Sequence, residues 1–472
     1  MQHSVTRGLS VPLDRPPCWL LAAAFQIACA MMSPGAYAQA DVEQGAASAA
    51  AEPQGLVPIP DYAADIWSRS HLSGDWGGMR TDLANKGIQL EINWTQYLQG
   101  VVDGGRDETT RYGGTLDYLI NFDLMRMGLI PGALVKLRAE SRYGHSVNGA
   151  SGIILPVNTD MLFPLTDELD EDVAFTITNL SYTQFLGEHL AFMIGKLDTL
   201  DGDPNEFASG RGTSQFMNAN FIFNSALALR LPYSTLGGGV IWMPVPAGPD
   251  GGITISSLVM NTADSSTTTG FNDFGDGISW TTEANFQYRL GSLPGGMNVG
   301  FLYSFDQDFT AFSGELIFRP GEGLIFPTAD DTWAAYWSGW QYLFSEEPAD
   351  HAINLLNGQP DLQGVGLFAR FGFADEDTNP IEWSLSGGVG GRGVIPSRDN
   401  DTFGVGYYYT SLRSNRLSSF VGLEDESHGF EAFYNLAITP AAHLTFDAQV
   451  VEPVSSDIDT AVILGMRVGL TF

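Results

Sequence analysis

Residues 71–98 read HLSGDWGGMRTDLANKGIQLEINWTQYL. Two periodicities meet inside this stretch. Ser73 or Asp75 can cap a helix, Met79 to Lys86 can form two turns of it, and Gly87 suits the position just past its end. From Gln89 onward the period is two. Leu90, Ile92, Trp94 and Leu98 alternate with Glu91, Asn93 and Thr95, the spacing of a strand with one apolar face. The stretch therefore reads as a short helical lead-in that delivers the chain into a β fold.

The alternation recurs along the rest of the chain, set off by Gly, Pro, Asp and Asn. Val135, Leu137 and Ala139 alternate with Lys136, Arg138, Glu140 and Arg142. Trp280, Ala284, Phe286, Tyr288 and Leu290 stand opposite Thr281, Glu283, Asn285, Gln287 and Arg289. At the end, Val462, Leu464, Met466, Val468, Leu470 and Phe472 face away from Ile463, Gly465, Arg467 and Gly469. Strands are expected at 88–99, 114–125, 132–143, 173–186, 189–199, 237–243, 252–261, 278–290, 296–306, 332–344, 363–374, 380–390, 402–411, 427–438, 442–452 and 459–472. That makes sixteen when Glu315 to Arg319 is left in a loop. Short and long connections alternate through the first ten strands. Between 345 and 401 the alternation fails, and a misplaced boundary is expected there.

Composition narrows the class. Arg7 and Arg15, an apolar run from Trp19 to Met32 and small residues at Ala36 to Ala40 read as a cleaved export signal over 1–40. Both cysteines, Cys18 and Cys29, fall within it, so the mature chain has no disulfide framework and no thiol nucleophile. Gln26-Ile27-Ala28 before Cys29 is a poor lipidation box. Residues 41–70 read as a flexible periplasmic linker, 71–87 as the helical segment and 88–472 as the barrel.

The whole chain has 22 basic and 55 acidic residues. Removing Arg7, Arg15 and Asp14 leaves 20 and 54, a net charge of −34, which repels nucleic acid. Aromatics at 12% and hydrophobics at 44% exclude acidic disorder. A soluble β-sandwich also alternates, with its apolar face turned inward. Full charges at mid-strand suit a water-filled lumen instead, and apolar faces ending in Trp, Tyr or Phe suit membrane girdles. The class is all-β: a transmembrane antiparallel barrel of a Gram-negative outer membrane, with sixteen strands and a short N-terminal periplasmic helix.

Several pieces carry a family resemblance. They are Leu72-Ser73-Gly74-Asp75-Trp76-Gly77-Gly78-Met79-Arg80 with Leu83 and Lys86-Gly87-Ile88, then Arg111 to Asp117, Phe122-Asp123-Leu124 and Ile130 to Ala133. Gly195-Lys196-Leu197-Asp198, Phe368-Ala369-Arg370, Ser386-Gly387-Gly388, and Leu464 to Arg467 with Thr471-Phe472 follow. Together they resemble the OprB-type carbohydrate-selective porins over about residues 70–472. The resemblance implies a sixteen-stranded channel for diffusive uptake of sugars such as glucose, with no covalent chemistry and no cofactor. Another small solute, an organic acid or a polyol, is the alternative, and an exported glycan-binding β-protein stands behind it. The class also implies recognition of Phe472 by barrel-assembly machinery, contact with lipid and lipopolysaccharide, and a monomer or homotrimer.

Lumen candidates follow from parity. Arg138, Glu140 and Arg142 share one strand face, Glu283, Gln287 and Arg289 another, and Arg370 and Arg467 are isolated inward positions. Charges of mixed sign with amides can replace water around a neutral hydroxylated solute. Trp333 and Trp337 share a face, to stack on sugar rings or, one residue out of register, to sit in a girdle. Ala208 to Asn220 is the expected loop folding into the pore.

Other motifs carry less. Asp201-Gly202-Asp203-Pro204-Asn205-Glu206 begins like a calcium loop but lacks the sixth-position Gly and the closing Glu, so it reads as a solvated loop. Asp167 to Asp172 reads as a second solvated run, bridged by divalent ions to lipopolysaccharide. The seven histidines are scattered, without metal spacing or a triad. Gly237 to Gly239 and Gly387-Gly388 precede no helix and are expected to pack between strands or to mark bends.

Overall fold

The lead-in helix ends where its sequence stops it. In the computed structural model, which describes residues 55–166, 171–248, 251–312, 317–319, 323–325, 327–346, 362–413 and 424–472, helix α1 spans Met79–Asn85. Its N-cap residue is Gly78, which has no side chain to cap with; Asp75, further upstream, accepts from the Thr81 backbone N–H at 2.8 Å in its place. Ser73 instead accepts from Arg80 at 3.2 Å. Gly87 follows with φ 88°, and a Cβ there would lie 2.6 Å from the Asp123 carbonyl oxygen, so only glycine fits.

Arg80 ties this helix to the end of the chain. It donates to the carbonyls of Leu90 at 2.5 Å and Phe472 at 3.0 Å, with its guanidinium over the rings of Tyr62 and Trp76. The expected export signal lies outside the described residues, as does the linker up to residue 54. The remainder of that linker, from Gly55, is packed: Leu56 and Val57 donate to the Asp123 carboxylate and Gln89 to the Pro58 carbonyl.

The strands are β1 (Ile88–Asp103), β2 (Thr109–Asp123), β3 (Ala133–Gly144), β4 (Val173–Phe185), β5 (Leu190–Asp198), β6 (Ser234–Gly248), β7 (Gly251–Asn261), β8 (Ile278–Leu290) and β9 (Leu293–Thr310). After them come β10 (Ile317–Arg319), β11 (Gly323–Ile325), β12 (Thr328–Ser345), β13 (Gly364–Ala374), β14 (Ile381–Arg392), β15 (Thr402–Leu412), β16 (Glu426–Thr439), β17 (Ala442–Val451) and β18 (Ala461–Thr471). Among the described residues strands β10 and β11 pair with each other in a separate two-stranded sheet, and the other sixteen close into one antiparallel barrel. Closure is by β1 on β18, with Trp94 opposite Leu470 and Leu98 opposite Met466. Each expected strand is present. Those at 345–401 are correctly bounded, so the lengths themselves invert: β12 and β13 are joined by a long connection at the helix end, β13 and β14 by a short one at the far end. Among the described residues no helix is long and apolar enough to cross a membrane; the crossing elements are strands.

Parity sorts the two faces as expected in β1, β3, β8 and β18. Ile92, Leu98, Leu464 and Met466 are exposed on the outside, whereas Thr95, Gln99, Arg138, Glu140, Glu283, Ile463 and Arg467 are buried. They are buried because the barrel is filled from the far end. The connections after β3 and β5 fold inward and bring their own apolar core: Val147, Val157, Phe207, Phe216, Phe221 and Ile222 pack against Phe368, Tyr408 and Phe433 of the wall.

Glycines make the sockets for these rings. A Cβ on Gly366 would lie 2.3 Å from Phe207, and one on Gly406 would lie 2.5 Å from Phe221. Gly388 similarly leaves room for Phe368 on the inner wall and abuts the Val405 carbonyl, in keeping with a packing role. The expected pore loop, Ala208 to Asn220, is therefore inside the barrel, with Phe216 and Met217 fully buried.

Candidate solute pathway and constriction

Strand β3 presents Lys136, Arg138 and Glu140 inward, β2 adds Asp117 beside them, and the inward connection after β5 closes over all four. Arg138 reaches Asp117 at 3.0 Å, Asp198 at 3.2 Å and Asp201 at 2.6 Å. Arg211, from the loop, reaches Glu140 at 2.6 Å, Asp198 at 3.0 Å and Asp201 at 3.2 Å. Lys136 stands 3.5 Å from Asp201, and Tyr233 donates to Glu140. Burial opposes charge on Asp201, but Arg138, Arg211 and Lys136 outweigh it and hold its carboxyl well below the usual range. Burial likewise opposes charge on Arg211, and Asp198, Asp201 and Glu140 override it, raising its pKa.

The edge of this cluster is open to solvent. Asp117, Lys136 and Asp201 keep 21%, 25% and 23% of their side-chain surface, against 7% for Arg138 and 1% for Asp198. A second string runs from the same loop to the opposite wall. Arg370 pairs with Asp203 at 2.7 Å, and Asn298 donates to Asp203 at 3.4 Å and to Glu283 at 2.8 Å. Tyr336 donates to the same Glu283 carboxylate.

Parity thus placed Arg138, Glu140, Glu283, Arg370 and Arg467 on the correct face, but their tasks differ. Arg142 donates to the carbonyls of Leu162 and Glu171 at 2.5 and 2.9 Å and holds the connection after β3. Arg370 donates to the carbonyls of Ala208 and Phe221 at 2.5 and 2.8 Å. Arg467 donates to those of Gly212 and Gln215 at 2.6 and 2.9 Å. Gln287 and Arg289 lie toward the helix end, where Arg289 donates to Ser292.

Trp333 is a correction. Its strand neighbours Thr332, Ala334 and Tyr336 are buried inward, which turns Trp333 and Trp337 outward. Trp333 stacks on Phe301 at 6.4 Å and meets Phe373 edge-on at 5.7 Å, in an outer aromatic band with Trp280 and Phe371. The acidic stretch from Asp201 is also not a solvated loop: its side chains are committed to Arg138, Arg211, Arg370 and, for Glu206, Tyr342 at 2.8 Å. Of the Asp167–Asp172 run, residues 167–170 lie outside the described residues, and Asp172 accepts from the Gly144 N–H.

Asp117, Asp198, Asp201 and Arg211 were not singled out by parity, because three of the four sit at a strand end or in a loop. Their signal was indirect. Asp117 and Asp198 lie in the resemblance pieces, and Arg211 stands between two glycines in Ala208 to Asn220.

The sequence matches that of the carbohydrate-selective porin OprB family over residues 107–472. The match starts after the 72–88 motif, so the later pieces carry it. Porin B of Pseudomonas aeruginosa is 21% identical over 457 residues, covering 87% of this chain and 94% of that one. The high-pH structure of Pseudomonas putida OprB superposes with a TM-score of 0.70 at 19% identity, over 86% of this chain and 99% of that one. The low-pH structure of the same protein gives 0.53 at 16% identity, with the same coverage. The closed sixteen-stranded antiparallel barrel of this chain thus has its fold in common with those structures, and the family match identifies the chain as an outer-membrane porin of the carbohydrate-selective OprB family.

Proposed function

We propose that the channel passes small neutral carbohydrates, monosaccharides such as glucose, by diffusion into the periplasm. The observation that carries this reading is the half-open edge of Asp117, Lys136 and Asp201 on a cluster that is otherwise sealed. Carboxylates accept from sugar hydroxyls and the ammonium donates to them, so water leaving the sugar is replaced group for group. Three basic groups (Lys136, Arg138, Arg211) face four acidic ones (Asp117, Glu140, Asp198, Asp201), a near balance that gives an ion of either sign little net attraction. Weak, multi-point contact of this kind lets the solute leave again.

The reading includes no covalent step. Residues 1–40 serve as a cleaved export signal, Gln287 and Arg289 line the periplasmic side of the path, and lipid and lipopolysaccharide cover the outer face. In planar bilayers, glucose is expected to lower the ionic conductance in a saturable way. Conductance that no sugar lowers, together with no glucose uptake into liposomes, would falsify the proposal.

A further inference from the structure

Arg211 is delivered to the charged cluster by an unusual piece of backbone. Gly210, Arg211 and Gly212 have φ of 79°, 57° and 84°, three successive left-handed residues. Glycine adopts this conformation freely, but an L-residue with a Cβ does so at a cost and only where the surroundings fix it. Those surroundings are visible. The Gly212 carbonyl accepts from Arg467 at 2.6 Å and from Tyr97 at 3.2 Å. Arg467 also holds the Gln215 carbonyl, and the Gln215 side chain accepts from the Ser209 N–H at 2.6 Å. Tyr97 donates in addition to Asp160 of the other inward connection, at 2.9 Å.

The turn so fixed aims the Arg211 guanidinium between Asp198, Asp201 and Glu140. Arg467 takes no part in that cluster. Its groups are spent on the loop backbone and on Thr445 at 3.1 Å.

We propose that Arg211 is the charge-selectivity residue of the channel, and that Arg467 is its positioning residue, acting through the left-handed turn. This deepens the sugar-permeation reading and rests on the same cluster being the constriction. Without Arg211 in place, two basic groups would face four carboxylates, and the filter would favour cations.

The test is the reversal potential of the full-length protein in planar bilayers under a KCl gradient. Heat-modifiable migration on gels confirms that each variant is a folded barrel. R211Q should raise the potassium-to-chloride permeability ratio on the order of fivefold, the scale of one unit charge lost from a partly screened site. G212A removes no charge but places a Cβ on a left-handed residue 3.1 Å from the Asp160 N–H, and should shift the ratio in the same direction. R467K keeps its charge but loses the planar fork that spans Gly212 and Gln215, and should do likewise. Y97F, neutral in both forms, should give a smaller shift of the same sign. An R211Q ratio equal to wild type overturns the proposal. So does a shift in R211Q alone, with folded R467K and Y97F unchanged, because the turn would then not matter. Glucose uptake is scored separately in liposomes, so a wild-type channel that excludes glucose but shows the expected shifts fails the permeation reading alone.

Discussion

Arg370 shows what parity reads at the residue scale and what it misses. Its inward direction follows from the alternation of β13, yet its partners Asp203, Ala208 and Phe221 lie about 150–170 residues earlier in the chain, in a loop with no period to read. Trp333 shows the opposite failure: a one-residue slip in assigned register exchanges lipid face for lumen, and only the pairing of β12 with β9 settles it. Two outcomes follow here. R370M removes the partner of a buried carboxylate and several carbonyls, so the inward loop should lose about 3–5 kcal/mol of local stability. Single-channel conductance should rise and become noisy while the barrel stays heat-modifiable. Trp333→Ala should leave the sugar-dependent conductance drop at its wild-type value; a lost drop would return Trp333 to the solute path.

Asp201 adds a pH dependence. Its folded pKa is depressed, so the stability it contributes is present above the unfolded value of about 3.9 and is lost only as pH falls through the lower folded value. The clamp of Arg211 on Asp201 should therefore persist from neutral pH down to about pH 4. The carboxyl carbon shift of Asp201 in detergent-held protein checks this: titration of that carboxyl already near pH 6 would contradict it.

At the scale of elements, strands were legible because each has one face against lipid and one against polar lumen groups, which forces a strict period of two. The inward connections were legible only as length and polarity. Their rings have sockets supplied by glycines on β13, β14 and β15, a complementarity between segments far apart in sequence. Phe216, stacked on Phe221 at 4.6 Å and edge-on to Phe433 at 4.8 Å, is the centre of that fit. Phe216→Ala should cost about 3–5 kcal/mol of loop stability. Faster hydrogen exchange confined to residues 199–233 would report it, with the strand amides unchanged. The lead-in helix belongs to the same scale: Gly87 was readable as its stop, whereas Arg80 bridging to the Phe472 carbonyl was not, since nothing local announces a contact across the closed seam.

For the whole molecule, an acidic, glycine-rich and aromatic-rich composition, with both cysteines in the expected export signal, pointed to an outer-membrane barrel before any motif did, and the closed sheet agrees with it. What composition could not give is the filling of that barrel. Two inward connections pack inside the closed sheet, and Asp117, Lys136 and Asp201 form the solvent-open edge of the charged cluster they cover. The central claim is that this edge lines the solute path and favours uncharged hydroxylated solutes. It is tested most directly by uptake into proteoliposomes of three solutes of similar size: glucose, its carboxylate analogue gluconate and its ammonium analogue glucosamine. The account predicts that glucose enters fastest, with both ions slower. Gluconate entering as fast as glucose, or all three at one rate, would contradict it.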